Sequence, residues 1–362
     1  MSKTVFTGAS ATANSWSVAG NWSLASVPVD TDSAYLRGLA TDISAGLAQS
    51  SVLLDYFEIE STYTGLLGLV GTPLAIGATR WRFGTPSNSS NAGGGSGRIN
   101  VNFGADAFEG VVESSKSGST DSGLEPIRII GSNAANKLYV TGGRVGVATG
   151  TPSETATLAE FALDGTGSVL HLGQGVTWTA GYQVDGVLKL ASGGSTLVQE
   201  GGTVTTLGTG VIRTARIGGT AYFNHRPGYQ TATSLTSSGS VATVAITGHG
   251  YLAGDTVYVA GADQADYNGF KTVVASSANA FTFACASDAV TPATGTITTL
   301  LAMASLTIAN GGRAYFSQDA RDVAVATITL EAEATLQANP AKPTHLIYGQ
   351  LVLEGVVAVG TT

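Results

Sequence analysis

The chain has 362 residues, with 17 Lys and Arg against 25 Asp and Glu, a net charge of −8 and a pI near 4.9. Without any Lys/Arg run to neutralise successive phosphates, this balance argues against binding nucleic acid or an anionic membrane. Glycine supplies 49 residues, about twice its usual share of roughly 7%, and only 12% of residues are charged. Gly, Ser, Thr, Ala and Val suit short strands joined by sharp corners better than helices, so an all-β protein is expected.

The N-terminal stretch Met1-Ser-Lys-Thr-Val-Phe6 has no charged segment leading into an apolar one, and no run approaches the roughly 18 apolar residues of a membrane span. Synthesis and folding in the cytosol are expected. Residues 1–40 carry Trp16, Gly20-Asn-Trp-Ser23, Pro28, Asp30 and Asp32 before the strand-like Ala34-Tyr-Leu-Arg37. Two tryptophans near an end suit an aromatic cap on a core that would otherwise be open. Between 41 and 150, turn signals separate the strand-like runs Tyr56-Phe-Glu-Ile59, Thr79-Arg-Trp-Arg-Phe83, Arg98-Ile-Asn-Val-Asn-Phe103 and Pro126-Ile-Arg-Ile-Ile130. The Ser-, Asn- and Gly-rich segment 85–97 reads as a mobile loop.

From about 160 the chain repeats a short strand, a glycine corner and another short strand. The corners at Gly186, Gly202 and Gly219 recur at a spacing that fits one small coil of a β-solenoid. A coil of this kind cannot bury its apolar face alone, so successive coils must stack. The pattern breaks at Pro227 and resumes at Leu306, where Gly311-Gly-Arg-Ala-Tyr-Phe316 nearly repeats Gly218-Gly-Thr-Ala-Tyr-Phe223. Matching coils on both sides of an interruption imply an inserted module, because a solenoid corner is a surface loop that tolerates insertion. The expected organisation is an N-terminal cap at 1–40, a β-solenoid at 41–228, a small β-barrel-like insert at 229–302, and a solenoid continuation at 303–362. Val356-Val-Ala-Val-Gly360 is a candidate last edge strand.

Polysaccharide cleavage on such a scaffold would need two carboxylates about 5 to 9.5 Å apart. The candidate pairs are Glu331 with Glu333, Asp263 with Asp266, and Glu58 with Glu60; solvated faces and turns explain each of them. None comes with an aromatic cluster, and Trp178 with Tyr182 is the one aromatic pair to check. His171, His225, His249 and His345 are dispersed and lack metal-ligand spacing. Asp30, Asp32 and Asp42 follow no calcium-loop pattern, and turn capping accounts for them. Cys285, the single cysteine, lies in an apolar strand-like run and reads as a small packed hydrophobe. Gly201-Gly202 lacks the following helix that a phosphate cradle requires. No catalytic, cofactor or metal site is expected. Arg80-Trp-Arg-Phe83 sets two arginines on one face and two aromatics on the other, which makes Arg80, Trp81 and Arg82 the candidate docking residues.

The insert contains Gly248-His-Gly250, Gly254-Asp-Thr-Val257 and Tyr267-Asn-Gly269. In these motifs it resembles a small β-rich module of phage tail and virion proteins that is related to the first catalytic-cysteine half-domain of ubiquitin-activating enzymes. With Gly20-Asn-Trp-Ser23, Val27-Pro28, Gly131-Ser-Asn-Ala-Ala-Asn136 and the Gly-Gly-Thr coils, the rest is similar to phage β-helix virion proteins. These resemblances imply a non-enzymatic particle component, first a capsid decoration (cement) protein whose partner is the major capsid protein or another virion protein, self-assembled as a homo-oligomer such as a trimer. The alternatives are a tail fibre or spike that adheres to host glycan, with or without depolymerase activity, and a bacterial surface adhesin.

Overall fold

The computed structural model describes residues 2–10, 14–39, 41–69, 71–84, 99–113, 125–151, 153–208, 210–224, 227–316, 322–338 and 346–354. The expected loop at 85–97, the tail at 356–360, His225 and His345 lie outside them. The fold is all-β, 54% strand and 2% helix, and is dominated by a large, mostly parallel sheet compatible with a β-helix. It divides into two compact units, residues 1–192 with 198–205, and residues 193–197 with 206–362.

The first unit has two parallel ladders, and from Leu74–Phe83 onward the chain alternates between them. One runs through Lys3–Phe6, Ser33–Leu36, Ala48–Ile59, Leu74–Phe83, Glu109–Glu113, Lys137–Gly142, Ala156–Leu163 and Val176–Gln183. The other runs through Ile99–Asn102, Ile127–Ile130, Arg144–Val147, Val169–Leu172 and Val187–Leu190. Strand alternation sends Phe57, Trp81, Leu138 and Phe161 inward along one row of the first ladder. Gly110 follows Trp81 in that row, and Gly181 follows Phe161. Both glycines are needed for close approach: a Cβ on Gly110 would strike the Trp81 ring, and one on Gly181 would lie 2.7 Å from Phe161 Cε1.

Alternation breaks once in some of the long strands. Thr79 and Arg80 are consecutively exposed, as are Thr179 and Ala180, so these strands have two arms whose inward positions differ in parity. Corners are held by side-chain amides that bridge neighbouring strands. Asn136, fully buried, accepts from Phe108 N–H at 3.1 Å and donates to Thr157 O at 3.2 Å. Gln183 Nε2 donates to Gly186 O at 2.9 Å and to Thr203 O at 3.2 Å. Gly186 and Gly202 adopt positive φ at their corners, as strand–glycine–strand repetition requires.

At the start of the first ladder, Trp16 and Trp22 are buried with edge-on rings 4.8 Å apart, and Trp22 Nε1 donates to Trp16 O at 2.8 Å. Trp22 also meets Phe6, and Trp16 meets Phe57, so the two indoles cover the first inward row.

The second unit contains its own parallel ladders. Ile212–Ile217, Thr298–Ile308, Val323–Leu330 and Leu346–Leu353 form one. Thr220–Phe223, Arg313–Phe316 and Thr335–Ala338 form the other. The repeated Ala-Tyr-Phe segments are direct neighbours: Tyr222 stacks on Tyr315 at 5.2 Å and Phe223 on Phe316 at 5.1 Å. The intervening residues pair antiparallel. Ser234–Ser238, Val241–Ala245, Ala280–Ala284 and Ala275–Ser276 form one sheet. Thr256–Ala260 pairs with Gly269–Thr272 and with the first half of Thr298–Ile308. Leu235, Val244, Tyr251, Val257, Tyr267, Phe281 and Phe283 fill the core of this part. The chain does not break at 302: Thr298–Ile308 is antiparallel to Thr256–Ala260 at its start and parallel to Ile212–Ile217 at its end.

Candidate functional site

The first unit presents a charged, tyrosine-bearing outer face on its first ladder. Register aligns two outward rows. One contains Tyr56, Arg80, Glu109, Lys137, Glu160 and Ala180; the other contains Tyr35, Glu58, Arg82, Val111, Tyr139, Ala162 and Tyr182. Arg80 reaches Asp55 at 3.4 Å. Arg82 reaches Glu58 at 3.3 Å, and its Nε donates to Glu113 Oε2 at 2.9 Å. The hydrogen bond that Arg82 donates to Glu113 leads the effects that raise its guanidinium above its ordinary value. Lys137 lies 3.7 Å from Glu160. Exposed pairs of this type contribute only about 0.2–1 kcal/mol each, so they order the face more than they hold the fold.

A cleft of about 520 Å³ opens beside this face, lined by Glu58, Glu60, Ser61, Arg82 and Glu113 among others. Glu58 and Glu113 share Arg82, while Glu60 pairs with Arg37 at 3.5 Å. Each carboxylate therefore faces a guanidinium. Such a site can exchange polar contacts with a ligand.

Of the three candidate docking residues, Arg80 and Arg82 are exposed and Trp81 is only 1% exposed. The Trp81 ring stacks on Phe103 at 5.1 Å and touches Phe83 and Phe108. It is a core residue, so the surface anchors reduce to the arginines.

The other candidates are scattered. Glu331 and Glu333 do not share a strand face: Val323–Leu330 ends before them, Glu331 binds Arg216, and Glu333 sits at φ +59 in a turn. Asp263 accepts from Thr294 Oγ1 at 2.7 Å, and Asp266 belongs to a short 3-10 turn. Trp178 is buried against Phe161, whereas Tyr182 is exposed, because the two consecutive exposed residues between them change the parity.

Asp30, Asp32 and Asp42 each accept backbone N–H groups, from Leu53 at 2.9 Å, from Ser2 at 2.7 Å and Val29 at 3.2 Å, and from Leu66 at 2.8 Å. Burial alone would raise the Asp32 carboxyl; the Ser2 and Val29 donors outweigh it and hold it below its ordinary value. Among the described residues no cluster has the make-up of a metal site. His249 Nδ1 accepts from Tyr251 N–H at 2.9 Å, and its ring packs on Tyr251 and Phe281, so it shapes a turn. Cys285 is half-buried against the core of the antiparallel part.

Two polar clusters had no sequence signal. Glu125 is 1% exposed, bound by Arg144 at 2.9 Å, with Lys189 and His171 Nδ1 at 3.8 and 3.9 Å. Burial pushes His171 below the usual imidazole range; Glu125 opposes that shift and Lys189 adds to it. In the second unit, Arg213 Nε donates to Asp255 Oδ1 at 2.6 Å, while Asp255 Oδ2 accepts from Leu252 N–H at 2.6 Å. This ion pair ties the Gly-Asp turn of the antiparallel part to the parallel ladder.

Comparison with protein-family models, with curated proteins and with solved structures finds no match.

Proposed function

We propose that the chain is a β-solenoid structural protein of a virus particle, a capsid decoration protein that binds the major capsid protein on the outer surface of a phage head. The observation that carries this reading is the stacking of Ala221-Tyr-Phe223 directly on Ala314-Tyr-Phe316, with an antiparallel insert leaving and rejoining the ladder between them. Stacked strands with a filled core make a stiff scaffold, and an insert fixed to it by a continuous strand is displayed without a hinge. The residues that resemble virion proteins have mechanical roles consistent with this: Asn136 bridges strands, Trp22 covers the core, and His249 and Asp255 build turns. The outward arginines Arg80 and Arg82 supply contact chemistry for a protein partner or a second copy of the chain.

Purified chain added to particles that lack it tests this proposal. Saturable binding to the head shell and a higher temperature of genome release support it. Particles that assemble with no copy on the shell, or with copies only at the tail tip, refute the decoration role.

A further inference from the structure

We propose that the outer face between Tyr139 and Tyr182 binds a neutral saccharide chain running along the stacked strands. Tyr139, Ala162 and Tyr182 occupy one row of the ladder in consecutive strands. The two rings are therefore two strand steps apart, about 9.5 Å, close to the length of a disaccharide unit. Ala162 between them and Ala180 in the adjoining row leave a low floor flanked by aromatic walls.

Both rings are held in place before any ligand arrives. Tyr139 Oη donates to Glu160 Oε1 at 3.3 Å, and Tyr182 Oη donates to Glu200. A fixed ring loses little rotamer freedom on binding, which favours a platform for the C–H face of a sugar. Tyr222 and Tyr315 differ in using a ring face on each other. The acceptors around the platform are carboxylates: Glu160 and Glu200 on the hydroxyls, with Glu109 and Asp164 within electrostatic reach of the rings. Each carboxylate offers several lone pairs to sugar hydroxyls, and Lys137 supplies a donor beside Glu160. Four acids against Lys137 and Arg80, the ladder partner of Glu109, leave an acidic surplus that selects against uronic, sialylated or phosphorylated chains, which leaves neutral polysaccharide as the occupant. The inference goes beyond a structural role on a particle and holds wherever the chain is mounted.

Affinity electrophoresis of the full chain through gels cast with dextran, mannan, hydroxyethylcellulose or alginate provides the test. At least one neutral polymer should retard the chain, with little dependence on salt. Tyr182→Ala should weaken that retardation at least tenfold and Tyr139→Ala should also weaken it, whereas Tyr348→Ala, at an exposed tyrosine of another strand, should leave it unchanged. Circular dichroism confirms that each variant is folded. Absence of retardation in all three neutral gels, retardation by alginate alone, or an unaltered Tyr182→Ala variant would overturn the proposal.

Discussion

Gly110→Ala probes the packing of the first unit most sharply. The new Cβ would lie 2.5 Å from Trp81 Cη2 and closer still to Cζ2 and Cε2, where ordinary carbon contacts need about 3.5–4 Å. The ring has no space into which to retreat, because Phe103 stacks on it at 5.1 Å and Phe83 lies 4.4 Å away on centroid. Either the strands part or the indole leaves the core. Overpacking costs about 1–3 kcal/mol, and loss of a buried tryptophan's packing costs about 3–5 kcal/mol. The expected destabilisation is therefore about 3 kcal/mol, a fall of several degrees in melting temperature for a unit of this size. Urea titration followed by tryptophan emission measures it. A Trp81→Leu change in the same background should restore part of the loss, with a coupling of at least about 1 kcal/mol. A Gly110→Ala variant within about 0.5 kcal/mol of the parent, or strict additivity with Trp81→Leu, would refute this account of the core.

Asp255→Ala removes the acceptor of Arg213 and of Leu252 N–H; hydrogen exchange should rise in residues 230–299 while the Lys3–Phe6 end is unchanged, at a cost of about 1–3 kcal/mol. Trp22→Phe deletes the donor to Trp16 O and should cost about 1–2 kcal/mol, read as a lower urea midpoint with the melting profile otherwise intact. His171 is held below its unfolded value of about 6.5, chiefly by burial. The unfolded chain thus takes up a proton first on acidification, so this contribution to stability is complete above pH 6.5 and is lost as the pH falls through the folded value. His171→Gln should flatten that part of the pH dependence of the denaturation midpoint; an unchanged slope would contradict the assignment.

Sequence reasoning works best here where stacking makes neighbours of like residues. The two Gly-Gly-x-Ala-Tyr-Phe stretches predict adjacent coils because a parallel ladder sets each residue against its counterpart, and the rings of Tyr222 and Tyr315 lie in that arrangement. Local alternation likewise separates Arg80 and Arg82 from Trp81 and Phe83. It fails when a strand bends: Trp178 and Tyr182 share parity in the sequence but not a face, because Thr179 and Ala180 are both exposed. It fails again beyond a strand end, where Glu331 and Glu333 enter a turn. The tyrosine row and the Arg213–Asp255 pair were beyond reach for another reason. Tyr139 falls in line with Tyr182 only through the register of three strands, and Arg213 meets Asp255 across 42 positions, so no local pattern records either relationship.

Electron cryo-microscopy of the intact particles produced by the encoding genome tests the central claim most directly. The account predicts ordered density for stacked parallel strands on the outer surface of the head shell, with the antiparallel insert of residues 229–302 displayed on it. Particles with a bare shell, or with this density confined to the tail, would contradict it.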